Sequence, residues 1–348
     1  MRKEQIEQEI NKYGAKFFEA VRQTIIDRAT EPLSYNPEEH KNNKDKLIHK
    51  VDKLSKISEY NASIGIDDLW KLMYELIFYS GTRAKKASDE IESFEKYSVF
   101  SDFRKLVHRD WNFDKKEWVK FRKYYKNIYG SSWLKHIINN KNARLLYKTH
   151  FKNTGIKAFQ LMTKTGEFKG IKFSAMEDKM VKYITVAKHL FDKENSCPGI
   201  PILEQFTGPN YKFEDYRFWG IHCQFAYLLG EITAFHLMMD LGFNTVKPDR
   251  VLTYLFSKLG WLEVFPPEVT KEYVNKNYNN PRVWRDVIDK ALHLKKVIPD
   301  HYSNPLRQID IWIVKYGQQP EDSFGITKNL QKEYPIEQLY KDIKSRIN

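Results

Sequence analysis

The chain has 348 residues, 41% of them apolar and 30% charged, so a substantial core and a well-solvated surface fit together in one large domain or two ordinary ones. It has no run of about 18 apolar residues to span a membrane, and the N-terminus MRKEQIEQEINKYG lacks the apolar stretch of a signal peptide, so a cytoplasmic protein with no membrane partner is expected. Two cysteines, Cys197 and Cys223, are too few for a disulfide framework, an iron–sulfur cluster or a four-cysteine zinc site, and His222 and His236 stand at no recognisable zinc spacing, so neither metal nor other cofactor is expected.

Along the chain, residues 1–60 read as an N-terminal helical extension, with EPLSYNPEEHKNNKDK (31–46) a loop between helices. Asp67 is placed to cap a helix over 67–80, where Leu69, Leu72, Met73, Leu76 and Ile77 share a face and Gly81 ends it. Two more helices are expected at 84–97 and 100–108. The segment from Lys115 to Lys157 then holds twelve Lys/Arg against one acid, Glu117, a net +11 of the chain's +13. Its cations, among them Lys120, Arg122, Lys123 and Lys126, alternate with Trp118, Phe121, Tyr124, Tyr125, Tyr129, Trp133, Tyr147 and Phe151. Cations for phosphates and aromatics for bases suit nucleic acid; the same pattern also describes a helix with buried aromatics and wet lysines. The one-sided charge favours contact with nucleic acid.

A helix over 176–194 is broken by the CPGIP stretch at 197–201. The segment 213–241 reads as a long helix interrupted at Gly220 and Gly230 and ended by Leu241-Gly242. Thr245–Pro248 is a short extended link, Pro248 opens the next helix, and Val251–Leu259 continues it. Helices at 281–296, 305–316 and 336–347 complete an all-α chain, in which 61–265 is expected to form a core with a basic insertion at about 111–160, and 266–348 a C-terminal helical subdomain.

Asp249 carries the most chemistry. It stands at a helix start, where the positive end of the helix favours its ionised form, and such a carboxylate suits a transition state that develops positive charge. The plainer alternative is that an Asp there is simply a cap.

The stretch GEITAFHLMMDLGFNTVKPDRVLTYLF (230–256) resembles the helix-hairpin-helix superfamily of DNA glycosylases, which carries a helix after its hairpin, then a glycine, a link, and a catalytic aspartate opening the next helix. LWKLMYELIFYSGTRAKKASDEIESFEKY (69–97) resembles the family's first core helix and the loop that fills the gap left by a flipped nucleotide, and RQIDIWIVKYG (307–317) is similar to a segment after the core. The resemblance implies two helical subdomains with a cleft between them, double-stranded DNA as partner, and no cofactor. It implies Asp249 as the catalytic carboxylate, Ser80, Gly81 and Thr82 in the gap-filling loop, and Gly230, Thr233 and Ala234 at the start of the helix after the hairpin; Arg250, read by itself, is placed on a phosphate or paired to a surface acid. Here the hairpin has one glycine where the family has two, and Ile232 stands where strand-cleaving members carry a lysine, so simple hydrolysis is expected. Glu231 and Lys247 are further catalytic candidates; Tyr79, Trp219, Phe225 and Tyr227 line either a base pocket or the core. The expected activity is excision of a damaged or modified base, in repair or in defence against phage DNA. The alternatives are a non-enzymatic nucleic-acid-binding protein on the same scaffold and a metal-dependent nuclease.

Overall fold

The computed structural model describes residues 2–30, 37–55, 63–80, 84–107, 123, 127, 177–208, 215–266, 268–302, 304–316 and 336–347. Among them every regular element is helical: α1 (Arg2–Thr30), α2 (Pro37–Ser55), α3 (Ile66–Tyr79), α4 (Ala84–Glu95), α5 (Ser98–Ser101), α6 (Phe103–Val107), α7 (Glu177–Ser196), α8 (Glu204–Thr207), α9 (Asp215–Leu229), α10 (Glu231–Asp240), α11 (Arg250–Lys258), α12 (Lys271–Asn277), α13 (Pro281–Lys295), α14 (Pro305–Ile309), a π-helical segment (Asp310–Tyr316) and α15 (Ile336–Ile347). No helix is long and apolar enough to cross a membrane among the described residues.

The chain divides into two compact units, one of residues 62–229 and one that joins 1–61 to 230–348. This grouping differs from the three consecutive segments expected from sequence. The apolar stripe of α1 (Ile6, Ile10, Phe17, Val21, Ile25) is buried, and the helix packs against α15 and α13. An amphipathic helix of 29 residues cannot cover its own stripe, so the N-terminal segment completes a core built by the C-terminal one. Phe17 meets Trp261 edge-on at 5.0 Å between ring centres, and Phe18 meets Tyr302 at 4.9 Å.

In the 62–229 unit, α3 buries Leu69, Trp70, Met73, Tyr74, Leu76, Ile77 and Phe78. Tyr183 of α7 sits at the centre, its ring 4.9 Å from Trp70, 5.8 Å from Phe78 and 5.7 Å from Phe94, with its hydroxyl donating to the Phe100 carbonyl. Burial raises its pKa well above the ordinary phenol value. Helix α7 also ties down two helix ends: Lys179 donates to the Phe78 carbonyl (2.7 Å) and Lys182 to the Leu229 carbonyl (3.1 Å). A cation on the last carbonyls of a helix meets the negative end of its dipole.

Several sequence expectations shift. The loop expected at 31–46 gives way to α2 from Pro37 onward, because proline is well suited to the first turn of a helix. Gly65, not Asp67, caps α3; Asp67 instead holds Arg104 at 2.7 Å from inside the first turn. Gly220 does not interrupt a helix but lies within α9. Pro248 precedes the cap of α11 and does not open that helix.

Candidate active site around Asp249

The segment from α9 to α11 is built from a small set of local rules. Gly230 alone joins α9 to α10, at φ 97° and ψ 154°, a conformation open essentially to glycine. The joint between α9 and α10 is thus a single residue. Helix α10 ends in a Schellman motif: Gly242 (φ 82°) donates to the Met239 carbonyl and Phe243 to the Met238 carbonyl. The link through Val246 and Pro248 is buried and leads straight into Asp249.

Asp249 is the N-cap of α11. Its Oδ1 accepts from the Val251 amide at 2.9 Å and the Leu252 amide at 3.1 Å, while its own carbonyl accepts from the Thr253 amide at 3.0 Å. Oδ2 accepts no hydrogen bond from the described residues, and the residue keeps 8% of its surface. The cap expected from sequence is present, but its charge is not simply favoured. Burial pushes the Asp249 pKa up; Lys247 and the two amides pull it back, and the nearby charge of Asp310 adds to the rise, with a net shift upward. The result is a buried carboxylate with one oxygen fixed on a helix end and the other uncommitted.

Around it, Lys247 is half-buried, and Arg250, the first residue of α11, is exposed. Glu231 opens α10 on the exposed side and accepts from Asn279 Nδ2 at 3.0 Å. Thr233 is half-buried on α10. These residues and Gly230 belong to the same unit as Asp249.

The remaining candidates belong to the 62–229 unit or lie outside the described residues. Tyr79 ends α3 at 40% exposure, and Ser80 is that helix's C-cap, donating its amide to the Leu76 carbonyl at 3.0 Å. Trp219 is half-buried on α9, edge-on to Phe218 and His222. Phe225 is a core residue, packed 5.0 Å from Phe206, and Tyr227 is exposed. None of these aromatics lines a cavity of about 420 Å³ in this unit, whose wall includes His189, Lys193, Cys197, Ile200 and Glu204. Lys123 is exposed; Gly81, Thr82, Lys120, Arg122 and Lys126 lie outside the described residues, as does nearly all of 115–157.

Sequence reasoning missed a set of charges beside Asp249's helix. Arg307 Nη2 lies 2.6 Å from Asp240 Oδ1 at the end of α10, and its Nη1 lies 3.4 Å from Asp310 Oδ2. All three side chains are at least 87% buried. The available signal was a lone acid in the apolar run Ile309-Asp310-Ile311-Trp312-Ile313, with Arg307 one helical turn earlier. Among the described residues, no three His, Cys, Asp or Glu side chains gather as a metal site would require. Comparison with protein-family models, with curated proteins and with solved structures returns no match to this chain.

Proposed function

We propose that this protein is a monofunctional DNA glycosylase, which rotates a modified base out of the duplex and hydrolyses its N-glycosidic bond. The observation that carries the reading is Asp249: a buried carboxylate, anchored through Oδ1 on two amides of a helix N-terminus, with Oδ2 left for chemistry. The helix–glycine–helix–link–aspartate order of 215–250 supports it, as does the concentration of +11 in 115–157.

Extruding a nucleotide costs a few kcal/mol, least for a base already badly paired. Lysines and arginines of 115–157, with Arg250, hold phosphates. As the C1′–N bond breaks, its electron pair leaves with the base and positive charge builds on the sugar. The ionised Asp249 carboxylate stabilises that charge and takes a proton from the water that attacks C1′; that proton then passes through solvent to the departed base, which restores the carboxylate. The products are a free base and an abasic site. Because burial raises the Asp249 pKa, the acid limb of the rate profile falls above the ordinary aspartate range.

The test uses purified wild type and Asp249→Asn with methylated, oxidised and phage-modified DNA in EDTA, scored for abasic sites with an aldehyde-reactive probe. Sites formed by wild type and lost in the variant support the reading, and the responding DNA identifies the base class. Binding without abasic sites in any DNA refutes it and leaves a non-enzymatic nucleic-acid-binding protein. Breaks that appear only when a divalent metal replaces EDTA indicate a nuclease.

A further inference from the structure

Asp310 is 6% exposed and opens the π-helical segment that packs against α11. Single π-turns inside helices recur at functional sites because they re-aim one side chain. Asp310 Oδ2 faces Arg307, but its Oδ1 is buried with no hydrogen-bond partner among the described residues. Arg307 in turn is committed to Asp240 through Nη2, and its Nε is also buried without a partner among the described residues. A buried carboxylate oxygen without a donor is unfavourable for folding, and such an atom calls for an explanation in function.

We propose that Asp310 is the second carboxylate of the Asp249 site, a positioning residue tethered through Arg307 to Asp240, which acts on the reaction through Asp249 and does not itself touch the substrate. This rests on the glycosylase reading above. Its physical content is a fixed negative field. The sugar of a departing base gains positive charge in the transition state, and a second buried acid, on the segment packed against α11, strengthens the potential that stabilises it where water screens poorly. The positive charge of Arg307, beside Asp310 Oδ2, limits the repulsion between the two acids.

Lys247, in the preceding link, opposes the rise in the Asp249 pKa, and Asp310 reinforces it. Glu272 of α12 and Glu337 of α15 act on Tyr254. On α13, Asp286 accepts from the Glu263 and Val264 amides, and Lys290 pairs with Glu263. Asp310 is therefore the acid whose removal Asp249 should feel.

The experiment compares wild type, Asp310→Asn, Asp310→Ser and Asp310→Glu by the pH dependence of abasic-site formation. In parallel, the titration of the Asp249 side-chain carboxyl is followed by carbon-13 NMR, its resonance assigned as the one lost in Asp249→Asn. We expect both neutral variants to move the acid limb and the Asp249 titration to lower pH. The plateau kcat should fall about 10-fold, as expected when one electrostatic contribution to transition-state stabilisation is lost, with KM for DNA unchanged. Asp310→Glu should keep the wild-type limb. Two independent neutral variants guard against one of them failing to fold. If wild type forms abasic sites while the neutral variants leave limb, titration and kcat unmoved, the inference is overturned and the glycosylase reading stands. If Asp310→Glu behaves like the neutral variants, packing rather than charge is responsible and the inference is again overturned. If wild type forms no abasic sites, the glycosylase reading fails separately, and an unmoved NMR titration then removes the coupling as well.

Discussion

Asp249 is held between opposing effects: burial disfavours its charge, and two helix amides favour it, with burial the larger. Its pKa in the folded chain is thus above the unfolded value. For a carboxylate shifted this way, the favourable contribution to folding is complete below the unfolded pKa and is lost as the pH rises through the folded one. At neutral pH the wild type has lost that contribution. Asn at the same position carries no charge at any pH and caps a helix about as well. Asp249→Asn is therefore expected to melt higher than wild type at pH 7, with the difference closing as the pH falls toward 4, measured by thermal unfolding at several pH values. Asp249→Ala loses the cap acceptor and should lie below Asp249→Asn by about 0.5–2 kcal/mol. A less stable Asn variant at pH 7 would mean that the amide bonds outweigh burial. A residue that lowers stability where it stands is the kind retained for chemistry.

At the scale of elements, the glycines of the α9–α10 stretch separate what sequence shows from what it hides. Gly220 and Gly230 look alike in a sequence, each a break in an apolar helical pattern. Gly220 takes ordinary helical geometry on the exposed side of α9, and a Cβ there would meet nothing within 4 Å. Gly230 sits at φ 97°, where an L side chain is strained. The two alanine substitutions should then have opposite signs. Gly220→Ala should stabilise by about 0.5–1 kcal/mol through helix propensity, and Gly230→Ala should destabilise by about 1–3 kcal/mol, both read from denaturant midpoints at unchanged slope. Equal effects would mean that the joint at Gly230 is not required by the backbone. The helices themselves were legible, because a 3.6-residue apolar period and end signals such as Gly242 and Pro281 are local properties. The cap at Gly65 was not, because no side-chain hydrogen bond marks it, and neither was the Arg307–Asp240 pair, because it joins segments distant in sequence.

For the whole molecule, charge is the property read from sequence with the least intervening structure. The net +13 is nearly all in one stretch of 43 residues, and the other 305 carry only +2. A protein whose surface charge served solubility alone would spread it. The pairing of α1 with the C-terminal helices needed the fold, since nothing in residues 1–61 announces a partner more than two hundred residues away. The basic stretch, by contrast, makes a quantitative claim about binding that depends only on counting phosphates. Each cation that neutralises a DNA phosphate releases a counterion and adds about 0.9 to the slope of log K against log salt. Replacing Lys120, Arg122, Lys123 and Lys126 together by Gln should weaken duplex binding at low salt and reduce the magnitude of that slope by up to about 4, in proportion to the number of phosphates these four side chains neutralise. Asp249→Asn, which removes a negative charge from a buried cap, should leave the slope as it is. An unchanged slope in the fourfold variant would show that these cations are the wet side of a helix with buried aromatics, and phosphate binding would then have to be sought on Arg250 and the rest of the 115–157 segment.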